Sequence, residues 1–588
     1  MARLSIKYSL VQFVATIVST FFICAFIVQL MRKGIGFADE TLYLILADSS
    51  DTTFSYGGLW SFYTHHFAAI VDGDIYGFRV LGALLIFSFS TLLGYQVARL
   101  NKQVETEIRS QISIALSLGV ASFFFYQKFL LVPGYDWLTL VGLLIGLNGF
   151  FLTMSEPLTY QRTGSFLIGS GAFIASTGRP LAGVIFLVAV WVVWLNSAKA
   201  QKKNLKIWYL VTGLMVMSIF HLLFIANFKD SINSFILTAQ ISAADPAHNI
   251  SYLLKTSIWD LLTAPILAIQ ASAGFIIAIT VMALIAKYRR NWMSRKFARF
   301  LVLGLLVGQI SLTFILGKFG GGSSGEQNGY VWIGLTFSYA LTAYIVNTYS
   351  EFHSEGIPRS LALAASIPVA AAIFAATFSS DIGIVRLSSQ LGVFYCLLLF
   401  IVSNTIQDSL VQRGLHALTS ILIVVGLMVA FQKGMDQHYD SDATNLQTVS
   451  TRYGPHNSSL TVDAKRSNEI NQVRQFKQQG LVRSTDAVLN LTPVAIYIPY
   501  ELGFRNVKTL LLPNQTFAEQ YVRDNEKALK DAWLLTTESK YRDDPIEPAP
   551  VTEILGRSFP DDYRLVTTFS GKYCLNTVCV VNMWKPIE

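Results

Sequence analysis

The chain has 588 residues, of which 52% are hydrophobic and only 14% charged. Soluble domains carry about a quarter charged residues, so this composition, with a mean hydropathy of +0.46, excludes a purely soluble protein and points to repeated membrane crossings. The formal net charge of +8 reads as membrane orientation, not nucleic-acid affinity, because the basic residues cluster in short segments between apolar runs.

Arg3 and Lys7 precede the first apolar run, which puts the N-terminus in the cytoplasm. That run, 8–30, is too long for a signal-peptide core and lacks a small-residue cleavage site, so it is expected to remain as an anchor. Further apolar runs lie near 78–98, 111–127, 137–154, 164–178, 180–196, 207–226, 257–285, 300–317, 331–347, 361–378, 389–405 and 415–431, giving thirteen spans. The clusters Arg99–Arg109, Lys199–Lys206 and Lys287–Arg299 all fall on the cytoplasmic side under this count. Arg32 and Lys33 are the exception. Residues 164–196 read either as one long helix or as a tight pair broken at Gly178-Arg179-Pro180, since proline removes a backbone donor and disfavours helix in the residue before it. The pair keeps both lysine-rich clusters inside.

An odd number of spans sends residues 432–588 to the outer face. The composition turns polar there, and the segment reads as a linker followed by a small α/β domain of about 110 residues, near the usual domain size. Val494–Tyr500, Lys508–Leu512, Ala532–Thr536, Tyr563–Phe569 and Val578–Trp584 read as strands, and Phe517–Lys530 as a helix. Cys574 and Cys579 flank Leu-Asn-Thr-Val, a spacing suited to a disulfide closing a hairpin in an oxidising compartment. Cys24 and Cys396 lie within apolar runs and read as small hydrophobes.

The first outer loop, 31–77, collects acids and histidines: Asp39-Glu40, Asp48, Asp51, His65-His66, Asp72 and Asp74. Aromatic residues between Leu59 and Ile70 suit a helix at the membrane interface. Asp39 and Glu40 can supply a general base for an acceptor hydroxyl, or they can simply open the next helix, where acids are favoured. Asp136, before the fourth span, lies on the same side as Asp39. It reads as a second carboxylate of one cavity or as the cap of that span. Arg179 at the outer break needs an anionic partner. A lipid phosphate fits its guanidinium fork, and snorkelling to headgroups is the bland alternative. Arg79, Lys128, Tyr135, His65 and His66 complete the substrate-binding candidates, although Arg79 can instead pair with a loop carboxylate and hold the loop. The histidines lack metal-ligand spacing, so a divalent cation stays open. The glycine-rich stretch Lys318–Gly329 reads as a connector or gate.

Taken together, Ala38-Asp39-Glu40-x-x-Tyr43, Tyr76-Gly-Phe-Arg79-Val80, Pro133-Gly-Tyr-Asp136, the Arg179-Pro180 break and a soluble outer tail resemble the GT-C superfamily of polyprenyl-phosphate-sugar-dependent glycosyltransferases. The resemblance covers the whole architecture and, in residues, mainly 36–180. It is similar to the bacterial members that modify lipid A, O-antigen or other envelope glycans. It implies a polytopic α-helical domain over 1–431 in the bacterial inner membrane and a periplasmic α/β domain over 432–588. It also implies inverting transfer to a lipid or glycan acceptor, with Asp39 as base, Asp136 assisting and Arg179 holding the departing polyprenyl phosphate. The chain departs from the aminoarabinose- and mannose-transferring members in lacking a Lys-Pro-Pro-like element between Asp48 and Tyr76. A lipid-linked glycan transporter and an O-antigen ligase or polymerase are the rival readings. A transporter would place its ionisable groups near the bilayer midplane.

Overall fold

A computed structural model of the chain describes residues 2–37, 39–48, 58–100, 107–128, 130–155, 157–196, 203–244, 250–288, 295–315, 328–348, 358–378, 388–436, 444–492, 495–504, 506–509, 512, 514–537, 546–574 and 577–587. Helix α1 (Ala2–Leu30) is followed by two short helices, α2 (Asp39–Asp48) and α3 (Trp60–Ala69), and then by α4 (Ile75–Arg99). Next come α5 (Ile108–Ala121), continued by a 3-10 segment Ser122–Lys128, α6 (Tyr135–Thr153), α7 (Leu158–Gly178), α8 (Pro180–Asn196) and α9 (Lys203–Phe220), continued by a π-helical turn His221–Ile225. The series closes with α10 (Phe228–Ala244), α11 (Ile250–Tyr288), α12 (Arg295–Ile315), α13 (Asn328–Thr348), α14 (Arg359–Thr377), α15 (Gly392–Ser403) and α16 (Ser409–Asp436).

Within the described residues, each of the thirteen apolar runs read from the sequence overlaps one of these helices. Among the described residues, eight helices are long and apolar enough to cross a membrane, and three shorter apolar ones accompany them. Large apolar side chains such as Phe21, Phe22, Trp208 and Leu223 are left exposed on them, which is the expected condition of a face turned to lipid. The protein is therefore a mostly helical, multi-pass membrane protein with a small C-terminal α/β domain.

The run 164–196 is a helix pair. Helix α7 stops at Gly178, Arg179 is extended (φ −130°, ψ 114°), and Pro180 opens α8. Proline pushes the preceding residue out of the helical region and fits the first helical position, where its missing N–H is no loss. Small residues decide how α6 meets α7. A Cβ on Gly142 would lie 2.3 Å from the Ala175 amide nitrogen, and one on Gly171 would lie 2.4 Å from that of Gly146. No side chain fits there, so the two backbones touch. Close van der Waals approach of this kind is what holds helices together in lipid. The pairing is antiparallel and brings the start of α6 against the end of α7, where a Cβ on Gly178 would meet the Tyr135 carbonyl oxygen at 2.6 Å.

The C-terminal domain opens with a hairpin, β1 (Val449–Tyr453) and β2 (Ser458–Val462), and a helix α17 (Ala464–Gln478) capped by Asp463, whose carboxylate accepts from the Arg466 amide at 2.8 Å. There follow β3 (Ala487–Asn490), α18 (Tyr497–Leu502), β4 (Asn506–Thr509), α19 (Gln515–Asp524), α20 (Glu526–Leu529), β5 (Trp533–Thr537), α21 (Pro548–Ile554), β6 (Tyr563–Cys574) and β7 (Thr577–Pro586). The five-stranded sheet runs β4-β3-β5-β7-β6, with β3 parallel to both neighbours and β7 antiparallel to both of its own.

Three expectations about this domain need correcting. Where the strand Val494–Tyr500 was expected, Tyr497–Tyr500 open the short helix α18, closed by Gly503 in the left-handed region at φ 77°, and Val494 lies outside the described residues. Its residues Tyr497–Leu502 are all buried, so an unbroken apolar run carried no period by which strand and helix could be told apart. The expected linker contains β1, β2 and α17. Short Ser/Thr-rich strands and a helix of low apolar content give weak signals in sequence. The single expected helix Phe517–Lys530 is two, interrupted at Asn525. Cys579 is disulfide-bonded and Cys24 and Cys396 are free. Cys574 ends the neighbouring strand, and its side chain lies outside the described residues.

Candidate active site

Asp39 and Glu40 form the first turn of α2, where the positive end of the helix dipole favours acids. Their surroundings differ. Glu40 is buried, and both of its oxygens are engaged: Oε2 accepts from the Gly36 amide at 3.0 Å and Oε1 from Arg79 Nη2 at 2.7 Å. Arg79 is the largest fully buried side chain among the described residues. It also donates to the carbonyls of Met31 (2.9 Å), Lys33 (3.2 Å) and Gly34 (3.1 Å). A charge removed from water is tolerated when it is paired and hydrogen-bonded in this way. Arg79 and Glu40 thus hold the turn leading into α2, and Asp39, half-buried, stands beside that clamp.

Asp136 lies in the first turn of α6. Gly134 occupies the cap position and provides no side-chain cap. The Asp136 carboxylate turns instead to Arg179, at 2.8 Å from Nε and 2.7 Å from Nη2. Arg179 is buried, sits over the Tyr135 ring at 5.1 Å from the centroid, and donates from Nη1 to the Phe378 carbonyl at 3.3 Å. The small-residue seam between α6 and α7 makes this ion pair possible, because it places the last residue after α7 against the first turn of α6.

Tyr43 joins the two groups. One turn along α2 from Asp39, its ring meets Tyr135 edge to face at 5.9 Å and Trp60 at 5.3 Å. A Cβ on Gly134 would come within 2.7 Å of that ring, so glycine is needed for the approach. Burial first, and then the proximity of Tyr135, Asp39 and Asp136, push the Tyr43 hydroxyl well above its ordinary range. The same hydroxyl therefore feels the carboxylates of α2 and α6 together. The structure gathers Asp39, Tyr43, Trp60, Tyr135, Asp136 and Arg179 at one end of the helical domain.

The remaining candidates lie around this group. His65 Nδ1 is 2.8 Å from the Ala47 carbonyl near the end of α2, and His66 Nε2 is 3.2 Å from the Ile225 carbonyl. The interfacial helix expected between Leu59 and Ile70 is present as α3, with Trp60, Phe62 and Ala68 buried against the fold. The Lys128 side chain and most of the glycine-rich stretch lie outside the described residues. Among the described residues, no group of three or more His, Cys, Asp or Glu side chains is arranged to hold a metal ion.

Sequence reasoning singled out Tyr135 and Tyr43 separately and did not foresee that they meet Trp60 in one aromatic cluster. The signal was present in Tyr43, Trp60 and Tyr135, since aromatic residues next to each acid are unusual company for merely solvated carboxylates.

No protein-family model and no curated protein matches the chain. Among solved structures, it is similar to the crystal structure of ArnT from Cupriavidus metallidurans in the apo state, with 12% identity and a TM-score of 0.36 over 98% of each chain.

Proposed function

We propose that this chain is an inverting membrane glycosyltransferase of the GT-C kind, moving a sugar from a polyprenyl-phosphate-linked donor to a lipid or glycan acceptor of the bacterial envelope. The reading is supported by the Asp136–Arg179 ion pair, whose guanidinium lies over Tyr135, and by the contact of Tyr135 with Tyr43, one turn along α2 from Asp39. In this reading a carboxylate with partial solvent access, Asp39, and a buried cation, Arg179, share one site. Such a transfer needs those two charges. Asp39 takes the proton of the acceptor hydroxyl as its oxygen bonds to the anomeric carbon. The bond from that carbon to the phosphate oxygen breaks, and the polyprenyl phosphate leaves with the electron pair. Arg179 meets the charge that develops on the phosphate, and Asp136 holds the guanidinium fork in orientation. Tyr135, His65, His66 and Lys128 lie along the substrate path in this reading. Arg79 and Glu40 fix the loop.

In this reading the site faces the periplasm, the N-terminus is cytoplasmic and the C-terminal domain is periplasmic. The loop charges support that orientation. The test is the purified full chain in lipid nanodiscs against a panel of polyprenyl-phosphate sugars, with envelope glycans compared in cells with and without the protein. Asp39→Asn should lower turnover by roughly 10²–10⁴, the usual contribution of a general base, while donor binding survives. Turnover at the wild-type rate in Asp39→Asn would sink the assignment.

A further inference from the structure

The segment that carries Asp39 is held from two directions. From the helical domain, Arg79 takes Glu40 and three carbonyls. From the C-terminal domain, a separate set of contacts brackets the same stretch. Gly34 N donates to the Thr461 carbonyl at 2.9 Å and Thr461 N to the Arg32 carbonyl at 2.8 Å, which adds the residues after α1 to β2 as a short parallel bridge. Phe37 stacks on Tyr497 with centroids 3.9 Å apart and planes 5° apart, and the Arg466 guanidinium lies 3.7 Å from its ring centroid. Beyond Asp39, His456 Nε2 meets Asp48 at 2.6 Å. Gly73 leaves room for His456, since a Cβ there would lie 2.6 Å from the imidazole.

Two residues beyond Asp39, Thr41 meets Tyr453. The Thr41 hydroxyl has one proton and donates it to the Gly36 carbonyl at 2.6 Å. The 2.7 Å bond between Thr41 Oγ1 and the Tyr453 hydroxyl is therefore donated by Tyr453. A chain of hydrogen bonds runs from β1 through Thr41 to Gly36. Gly36 also donates to Glu40. Gly36 is thus tied to both Glu40 and Thr41, the two residues that follow Asp39 in α2. Glu40 is tied to α4 through Arg79, and its neighbour Thr41 to the C-terminal domain through Tyr453.

We infer that Tyr453 is a positioning residue for Asp39, and that docking of the C-terminal domain sets the geometry of the base. This rests on the proposed transfer for its kinetic arm only. Positioning acts on the chemical step more than on substrate capture, so the expected split is in kcat and not in KM.

The test uses the full chain in nanodiscs with Tyr453→Phe, which keeps the ring and removes the donor, Thr41→Val, and the double variant. Thr568→Ala, which removes an edge-strand hydrogen bond to Asn582 in the same domain, serves as control. Tyr453→Phe should lower kcat about threefold to tenfold, the scale of one hydrogen bond, with KM for donor and acceptor within about twofold. The double variant should be no slower than the slower single, because both remove one shared chain. Hydrogen exchange of the α2 amides should speed up in Tyr453→Phe and not in Thr568→Ala. Unchanged exchange in α2, or a loss that appears in KM alone, overturns the inference. If the wild type turns over none of the lipid-linked sugars, the transferase reading fails, and the exchange arm still decides whether Tyr453 orders the turn.

Discussion

The buried pair Glu40–Arg79 gives the sharpest test of how the turn is held. Glu40→Leu removes the acceptor of Arg79 Nη2 at 2.7 Å and of the Gly36 amide at 3.0 Å. It leaves a fully buried guanidinium with only three carbonyls for company. Breaking a buried pair from one side costs roughly 3–5 kcal/mol because the remaining charge is uncompensated. Arg79→Met strands the Glu40 carboxylate and those carbonyls, with a cost on the same scale. The double variant buries no ion, so it should recover a large part of either loss. At about 1.4 kcal/mol per decade, each single change should raise local opening of residues 31–46 by two to nearly four decades. Amide hydrogen exchange in nanodiscs reads this directly and avoids the irreversible thermal unfolding common in large proteins. If each single variant opens the turn by less than about tenfold, or if the double is worse than both singles, the pair does not hold the turn.

Arg179→Lys keeps the charge and loses the fork. Both Nε and Nη2 point at one Asp136 oxygen, and an ammonium cannot reproduce that. Under the proposed transfer the variant should lose about tenfold in kcat/KM for the lipid-linked donor, with the acceptor KM unchanged in steady-state kinetics. Glu501 gives a pH signature in the C-terminal domain. Burial raises its carboxyl above the usual value, more than Arg474 and the Gly454 amide lower it. A carboxyl raised in the folded state contributes stability that is complete below its unfolded value and is lost as pH rises through the folded one. Relative to Glu501→Gln, the wild-type domain should therefore be most stable below about pH 4 and lose ground above it. Exchange of the α17 and α18 amides across pH checks this, and a difference that grows with pH contradicts it.

The sequence was most informative where function and local geometry coincide. Apolar runs near twenty residues marked the helices because lipid demands that length and composition. Arg179-Pro180 marked the helix break because proline constrains its predecessor. The acids at 39 and 136 stood out because each lies within one helical turn of a tyrosine at the mouth of an apolar helix. Pairings across long stretches of chain left no such mark. Nothing local in Thr41 or Tyr453 announces a partner 412 positions away. Arg79 offered two readings, a substrate ligand or a clamp on a loop acid, and only coordinates show it engaged with Glu40. The helix α18 was read as a strand because full burial erases period.

The docking of the C-terminal domain also bears on topology. Residues 32–37 leave α1 and touch β2, α17 and α18, which follow the last long helix, α16. With α1 as a crossing, the C-terminal domain rests on the segment where α1 ends, the arrangement that an odd number of crossings would produce. Tyr135 meets Tyr43, and its neighbour Asp136 pairs with Arg179, so the α7–α8 break lies at the same end as α2, which fits a returning pair and not one span. Single cysteines in a background with Cys24 and Cys396 replaced test this with a membrane-impermeant thiol reagent. Asp72→Cys and Ser484→Cys should react together from one side, and Arg109→Cys only after the membrane is opened to the other. If positions 72 and 484 report opposite faces, the domain cannot rest on the first loop, and the held turn around Asp39 loses one of its two supports.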